Sequence, residues 1–343
     1  MPTTTTQTFC RICEALCGLE VDVDGNQIVD IRPDKSHVAT RGYSCIKGLK
    51  QHKMYGSPDR LMFPLHRRNG ELVRTDWDTA NREIGDAVAR IRNEHGPDAI
   101  AMYVGTAAGF GALHPAFAQG FMHAVGSKSM YSSATQDCAN KFAVAKHMYG
   151  FPFTQPFPDL DRLQCLIIVG ANPAISKWSF LQVSNPIKRL KELEERGAKI
   201  TIVDPRRTET AKVAGKHLFI RPNTDVFFYL SFLNELIATG GVDEPRVREF
   251  MSGYDEVEAL AAPWTPERTE SVTKIPAQTL RELVKEYRES DGAAIYSSTG
   301  VNMGSNGSLA FYVQECINAV SGNLDRAGGT LVSEERHRLY QVR

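Results

Sequence analysis

Along the chain the spacing of apolar residues changes several times, and each change marks an element. From Leu19 to Asp24 apolar and acidic residues alternate, Gly25-Asn26 supplies a turn, and Ile28-Val29-Asp30-Ile31 follows, which is the pattern of a β-hairpin. Arg60 to Pro64 leads into a second short hairpin centred on Asn69-Gly70. From Asp76 the period lengthens to that of a helix. Asp76 can cap it, Ala80, Ile84, Val88 and Ile91 form its apolar stripe, and His95-Gly96-Pro97 stops it. Ala99 to Val104 reads as a buried strand entering the Gly-rich loop Gly105 to Gly111, and residues 114–149 as helical segments interrupted around Gly126 to Thr135.

Beyond residue 160 the pattern is that of an α/β domain. Leu166-Ile167-Ile168-Val169 is wholly apolar, as a strand covered on both faces requires. A helix from Pro186 to Glu195 ends at Gly197, and Ile200-Thr201-Ile202-Val203 completes a βαβ unit with a right-handed crossover. His217 to Ile220 and Ala293 to Tyr296 are two more strands; Phe227 to Ala238, Ala277 to Ser290 and Leu309 to Val320 are helices. The expected fold class is α/β: a small N-terminal β-rich module, then α/β domains with a mostly parallel, Rossmann-like sheet. The expected domains span residues 1–65, 66–158 and 159–343.

Composition narrows the function only a little. The 343 residues contain 40 basic and 40 acidic side chains, so no net basic face points to nucleic acid or an anionic membrane as partner. No apolar run approaches the roughly 20 residues that cross a bilayer. The N-terminus, MPTTTTQTFC, shows neither a secretory nor a twin-arginine signal, so the expected location is cytoplasmic. Seven cysteines, four of them near the N-terminus and Cys138, Cys165 and Cys316 scattered, do not look like a secreted disulfide framework.

Those four carry the strongest chemical signal. Cys10, Cys13 and Cys17 form C-x2-C-x3-C, and Cys45 follows after 27 residues, with the first hairpin between. A compact thiolate triplet plus a remote fourth ligand suits an iron–sulfur cluster; structural zinc more often uses two separated pairs. Lys47, two residues past Cys45, is by position alone a solvated lysine.

The α/β half offers weaker candidates. Gly170-Ala171-Asn172-Pro173 follows a buried strand, where loop amides and helix N-termini meet ligands in open sheets; a plain turn explains it equally well. Without a G-x-G-x-x-G, nicotinamide or flavin binding of that kind is not supported. Asp204 ends the next strand and can accept hydrogen bonds from ribose hydroxyls or a guanine edge. Asp225 can do the same or cap the following helix. Arg206 and Arg207 can neutralise phosphate, although a solvated pair is commoner. Gly300 to Gly307, which includes Asn302, can cradle substrate or cofactor.

C-x2-C-x3-C-x27-C followed by Ile46-Lys47-Gly48, then Tyr55 to Pro64 and Thr75 to Asp78, resembles the N-terminus of the molybdopterin-bis(guanine dinucleotide) oxidoreductases. That superfamily includes formate dehydrogenases, nitrate reductases and dimethyl sulfoxide reductase. The resemblance continues through Gly170 to Pro173, Val203 to Arg206, Arg221 to Asp225 and Asn323 to Gly329, in the family's order. It implies a [4Fe–4S] cluster on Cys10, Cys13, Cys17 and Cys45, Lys47 between cluster and pterin, and dinucleotide contacts at Asp204 and Asp225. It further implies a Mo- or W-bis(molybdopterin guanine dinucleotide), a small-molecule substrate and an electron-accepting or -donating protein or subunit.

Two departures qualify that expectation. The family often ligates its metal through a cysteine, selenocysteine, serine or aspartate of the second domain; aligning Asn140-Lys141-Phe142 puts Ala143 at that place. Cys138 or Asp137 can serve if the loop is offset, or the metal is held by pterin dithiolenes and oxo, hydroxo or sulfido groups alone. His114, before Pro115, is a candidate proton shuttle; Lys141 and His147 are further polar candidates, a structural role being commoner for each. Cys165 and Cys316 fall in core patterns. The second departure is length, since full family members run to about twice this size; the chain is expected to be a fragment, or a short form completed by another subunit. The expected function is two-electron oxidoreduction at the metal with electrons passing through the cluster. The alternative is a non-catalytic iron–sulfur electron-transfer or assembly subunit of the same fold.

Overall fold

A computed structural model of the chain describes residues 3–105, 108, 111, 113–178 and 181–332. They gather into two compact units, Met1–Ala134 and Thr135–Arg343.

The first unit opens with an antiparallel sheet of β1 (Thr4–Phe9), β2 (Gly18–Asp24) and β3 (Gln27–Pro33) in that order. β2 and β3 are the expected hairpin, closing at Asp24 opposite Gln27 over Gly25 at φ +58°. β1 was not legible from apolar spacing, because its TTTQTF run has no apolar face; β-branched threonines favour the extended chain there. The second hairpin pairs β4 (Leu65–Arg68) with β5 (Glu71–Arg74), and Asn69 and Gly70 both take positive φ, as its tight turn requires. The helix Trp77–His95 starts where expected, with Asp76 Oδ1 accepting from Thr79 N at 2.7 Å.

One expectation fails in this unit. The stretch read as a buried strand is split between a 3-10 turn, Pro97–Ala99, and the short β6 (Met102–Val104), in which Tyr103 is 68% exposed. β6 pairs in parallel only with β7 (Met130–Ser132), so its apolar composition finds no second layer among the described residues. The loop Gly105 to Gly111 lies mostly outside the described residues.

The second unit has at its centre a four-stranded parallel sheet, in the order β11 (Lys216–Leu218), β10 (Lys199–Val203), β9 (Cys165–Val169), β12 (Ala293–Ser297). A short antiparallel pair, β8 (Phe157–Pro158) with β13 (Thr330–Leu331), adjoins it. Side chains alternate between the sheet's faces, and both faces are buried. Ile167, Val169, Val203 and Ile295 pack under the helices Asp225–Ala238, Ala277–Arg288 and Gly307–Val320. Leu166, Ile168, Ile202 and Tyr296 face Leu190 and Leu193 of the helix Pro186–Glu195. This is the Rossmann-like α/β/α arrangement expected from sequence.

The edge strand β12 is finished by asparagines. Asn318 exchanges two hydrogen bonds with the backbone of Ile295 (2.9 and 3.0 Å), and Asn323 Oδ1 accepts from Ala293 N at 3.1 Å. They answer the backbone groups that a fifth strand would otherwise pair. The stretch read as a loop after β12 begins instead with a helical turn, Thr299–Asn302, and three short helices fill residues 244–273.

Candidate functional site

The cysteine loop is the connection between β1 and β2. Their register ends with Phe9 opposite Gly18, so Cys10 to Cys17 must turn back within eight residues. Cys10 N donates to Cys17 O at 2.8 Å, and Leu16 N to Cys13 O at 3.3 Å with Leu16 at φ +43°. The fourth cysteine arrives through the turns after β3. Thr40 Oγ1 accepts from Gly18 N at 3.2 Å, and Cys45 then stands at the N-terminus of the short helix Ile46–Leu49. Gly48 in that helix is packed so closely that an added Cβ would strike Ser44 Oγ and come within 3.4 Å of Cys10 Sγ. Gln51 Nε2 donates to Cys10 Sγ at 3.4 Å.

All four thiols therefore share one electrostatic neighbourhood. Burial, then the charges of Cys10, Cys13 and Cys45, push the Cys17 thiol up to about 11. Cys10 is raised chiefly by burial and by Cys13 and Cys45, against the lowering charge of Lys47. Tyr43, beside the same sulfurs, is raised by burial and by Cys45, Cys17 and Cys13. Four thiolates here would repel one another unless cations took the protons' place, which is what metal binding does. Among the described residues no group of three or more His, Cys, Asp or Glu side chains is arranged to hold a single ion. The buried Ser44 Oγ, next to Cys45, has no partner. That hydroxyl fits an acceptor-bearing centre held by the four thiolates, such as an iron–sulfur cube. Tyr43, Ser44 and Gln51 were missed in the sequence because nothing in their spacing separates them from ordinary polar residues. Lys47 is exposed on the short helix. His114 begins the helix His114–Val125, with its ring over Gly111 beside Arg11.

In the second unit the candidates collect at the carboxyl ends of the parallel strands, where open α/β sheets bind ligands. Gly170, at φ +56°, meets Gly300 backbone to backbone: Gly300 N donates to Gly170 O at 2.9 Å. A Cβ on Gly300 would lie 2.6 Å from Gly170 O, so both glycines are needed for the crossing. Asn302, one turn on, is 7% exposed, and neither end of its amide has a partner. A buried amide with both ends unmet is costly unless water or a polar ligand meets it.

Asp204 and Asp225 face the same edge, and Asp225 senses the charge of Asp204. Burial, opposed by a bond from Arg206 N and the charges of Arg206 and His217, raises Asp204. Burial, with a smaller push from Asp204, takes Asp225 up to about 6. Asp225 is not the cap of its helix: Thr224 holds that position and Asp225 is in the first turn. Two half-desolvated carboxylates suit donors such as ribose hydroxyls or a guanine edge.

Other candidates are engaged within the protein. Asn172 Nδ2 donates to Glu209 Oε2 at 2.7 Å and its Oδ1 accepts from Thr210 N and Oγ1, so it ties the loop after β9 to the loop after β10. Pro173 is the buried first residue of the turn Pro173–Ser176. Arg206 forms a two-pronged pair with Glu209 at 3.2 and 3.1 Å, leaving its charge answered locally. Cys138 is half-buried at the N-cap of the helix Ala139–Tyr149, and the neighbouring Asp137 Oδ1 accepts from Thr299 Oγ1 at 2.8 Å. Cys165 and Cys316 are core residues, as expected. No helix among the described residues is long and apolar enough to cross a membrane.

The chain is similar to several known proteins. The F420-dependent formate dehydrogenase 2 subunit alpha of Methanococcus maripaludis is 29% identical over 331 residues, covering 94% of this chain and 46% of the relative. Formate dehydrogenase H of Escherichia coli is 25% identical over 333 residues, covering 93% and 45%. The chain thus spans about half the length of the curated relatives it matches. Acetylene hydratase from Pelobacter acetylenicus shares the fold, with a TM-score of 0.77 at 22% identity over 92% of this chain and 43% of that one. The profile of the molybdopterin oxidoreductase Fe4S4 domain matches residues 3–55, and that of molybdopterin oxidoreductase matches residues 60–331. The chain belongs to the molybdopterin oxidoreductase family, and the cofactors of its two domains are those expected, a [4Fe–4S] cluster and a Mo- or W-pterin.

Proposed function

We propose that the chain is the cofactor-binding part of a two-electron oxidoreductase, with formate the first substrate to test and a separate protein or subunit as electron partner. What carries the reading is the convergence of four thiols in one unit and, in the other, a sheet edge with two raised carboxylates and an orphaned amide. Several formate dehydrogenases among the relatives favour formate. In this reading the domains run 1–65 for the cluster, 66–158, and 159–343 for the dinucleotide.

Cys10, Cys13, Cys17 and Cys45 hold the cluster, and Lys47 supplies positive charge on its flank. Asp204 and Asp225 receive donors of the dinucleotide, Gly170 and Gly300 let it approach the backbone, and Asn302 fixes a polar edge. Asn172, Pro173 and Arg206 position those loops. Cys138 is the candidate protein ligand to the metal and His114 a candidate proton carrier. When bound, the metal-pterin group supplies the two-electron redox chemistry; the protein orients it and sets its electrostatic surroundings.

Anaerobically purified protein should contain iron, Mo or W, and a guanine nucleotide released on denaturation, and should reduce a viologen dye with formate. Iron without Mo, W or guanine would overturn the reading and leave an electron-transfer or assembly subunit.

A further inference from the structure

The unit that carries the four cysteines is divided by charge. Residues 3–34 hold six acidic and two basic side chains, whereas residues 35–68 hold eight basic and one acidic, Asp59. Over the whole chain the two signs balance, so the division is local. On the acidic side charges are partly answered, since Arg32 pairs with Glu20 and Asp22. On the basic side none of the eight cations has a carboxylate partner among the described residues. Three of them stand on the short helices that follow Cys45, Ile46–Leu49 and Gln51–Tyr55. The turns run on from one helix to the other, Lys50 N donating to Ile46 O and Lys53 N to Lys50 O, each at 3.1 Å. Gly48 and Gln51 form the inner side: Gly48 is buried, and Gln51 Nε2 donates to Cys10 Sγ and to Gly48 O. Lys47, Lys50 and Lys53, three residues apart, are all exposed. Lys50 and Lys53 also wall an open hollow of about 710 Å³ with Met54, Arg60 and Leu61, in which Asp59 is the one acid. Met54 and Leu61 are exposed, and Arg60 is held over the Tyr55 ring, its Cζ 5.0 Å from the ring centroid.

Exposed apolar side chains within a charged rim are the composition of a protein-docking surface. Cations left unpaired on one face steer a partner of opposite charge. Place matters as much. Gln51 lies between Lys50 and Lys53 in sequence and touches a cysteine sulfur, so this face is one short helix away from the cluster's ligands. A nucleic acid or an anionic bilayer would meet the same charges, but neither has a use for a redox centre behind them.

We propose that the face formed by Lys50, Lys53, Met54, Arg60 and Leu61 is the docking surface for a small acidic protein that carries one electron at a time. The proposal rests on the reading above and gives its electron partner a place and a chemistry. Each formate oxidised to carbon dioxide releases one proton, to water, and two electrons. Two oxidised partner molecules, docking in turn, each leave with one of those electrons, so atoms and charge balance. Docking sets the partner against the outer side of the helix Gln51–Tyr55, with Cys10 on its inner side.

The probe is a strongly acidic plant-type [2Fe–2S] ferredoxin, used with the cofactor-loaded protein. Calorimetric titration of the two oxidised proteins reads docking without turnover. Binding at about 20 mM salt should weaken about tenfold by about 200 mM. Lys50→Glu/Lys53→Glu should weaken it about tenfold at low salt and slow electron transfer from pre-reduced ferredoxin to the same degree. Its iron content should be kept, and its formate activity with a cationic viologen should not fall. The milder Lys50→Gln/Lys53→Gln should lose about threefold and serves if charge reversal costs iron. Absent or salt-independent binding would overturn the proposal, as would an equal loss in Lys188→Glu/Lys191→Glu on the helix Pro186–Glu195. Phosphatidylglycerol vesicles that bind wild type but not Lys50→Glu/Lys53→Glu, with ferredoxin affinity unchanged, would make the face a membrane contact and overturn it too. Ferredoxin docking without any formate activity means that the substrate reading fails while the surface stands; formate activity without docking overturns the surface alone.

Discussion

In the first unit the buried apolar side chains around the cysteine loop are few: Ala15, Leu19, Val21 and Ile31, beside Cys10 and Cys17 themselves. In the second unit two continuous clusters cover both faces of a parallel sheet, and whole strands, such as Cys165 to Val169, are 1% exposed or less. A fully buried Leu or Ile contributes about 1.5–3 kcal/mol, so the second unit has ample apolar burial to fix its own geometry and hold a ligand at its rim. The first has no comparable reserve; its cysteines belong to its small core. There the cofactor's ligands and the folding core are largely the same residues, and in the second unit they are separate.

The sharpest way to break that contrast is to remove a ligand from the first unit. Cys45→Ser should abolish cluster binding, with near-complete loss of iron and of brown absorbance, and should leave residues 3–55 unstable to proteolysis. Structural zinc in small domains contributes on the order of 10 kcal/mol to folding at neutral pH, and a cluster held by four thiolates acts in the same direction. Full iron content in both Cys45→Ser and Cys45→Ala would show that Cys45 is not a ligand.

The same contrast explains what could be read in the sequence. The strands and helices of the second unit were legible because burial on both faces leaves uninterrupted apolar runs, as in Leu166 to Val169. The four cysteines were legible because ligand chemistry fixes their spacing. β1 was not, since Thr4 to Phe9 pairs through its backbone and has no buried face. β6 was misread as buried, because apolar composition does not say whether a second layer exists to cover it. Nor could spacing show that Asn172 and Arg206 are bound by Glu209, or that Lys141 and Glu315, far apart in sequence, are both buried. Such partnerships depend on how helices cross, and no local pattern records that.

Damage at the sheet edge should behave differently from loss of a cysteine. Gly300→Ala places a methyl group 2.6 Å from Gly170 O and 2.8 Å from its Cα, and neither backbone atom can swing aside. Overpacking of this sort costs about 1–3 kcal/mol. Thermal unfolding followed by circular dichroism should show a lower Tm, with bound guanine nucleotide reduced and iron content kept. A wild-type Tm would mean that the crossing of Gly170 and Gly300 has room for a methyl group.

The smallest effect sharpens the contrast further, because it touches only the rim. Asp225 titrates near 6 in the folded chain because burial and, secondarily, Asp204 disfavour its charge, whereas an unfolded aspartate titrates near 3.9. The folded state therefore holds this proton more tightly than the unfolded state. Its contribution to stability is fully present below about pH 4 and is lost as pH rises through about 6, a change on the order of 2–3 kcal/mol. In the cofactor-free protein, Asp225→Asn cannot ionise and should lose this part of the pH dependence, gaining stability relative to wild type at pH 8 but not at pH 4. In the loaded protein the order should reverse at pH 8, since the carboxylate then has ligand donors to receive and the amide does not. Denaturant titrations at the two pH values, with and without bound guanine nucleotide, measure both signs. A ligand-independent gain at pH 8 would show that Asp225 is a strained carboxylate of the core and receives nothing from the dinucleotide.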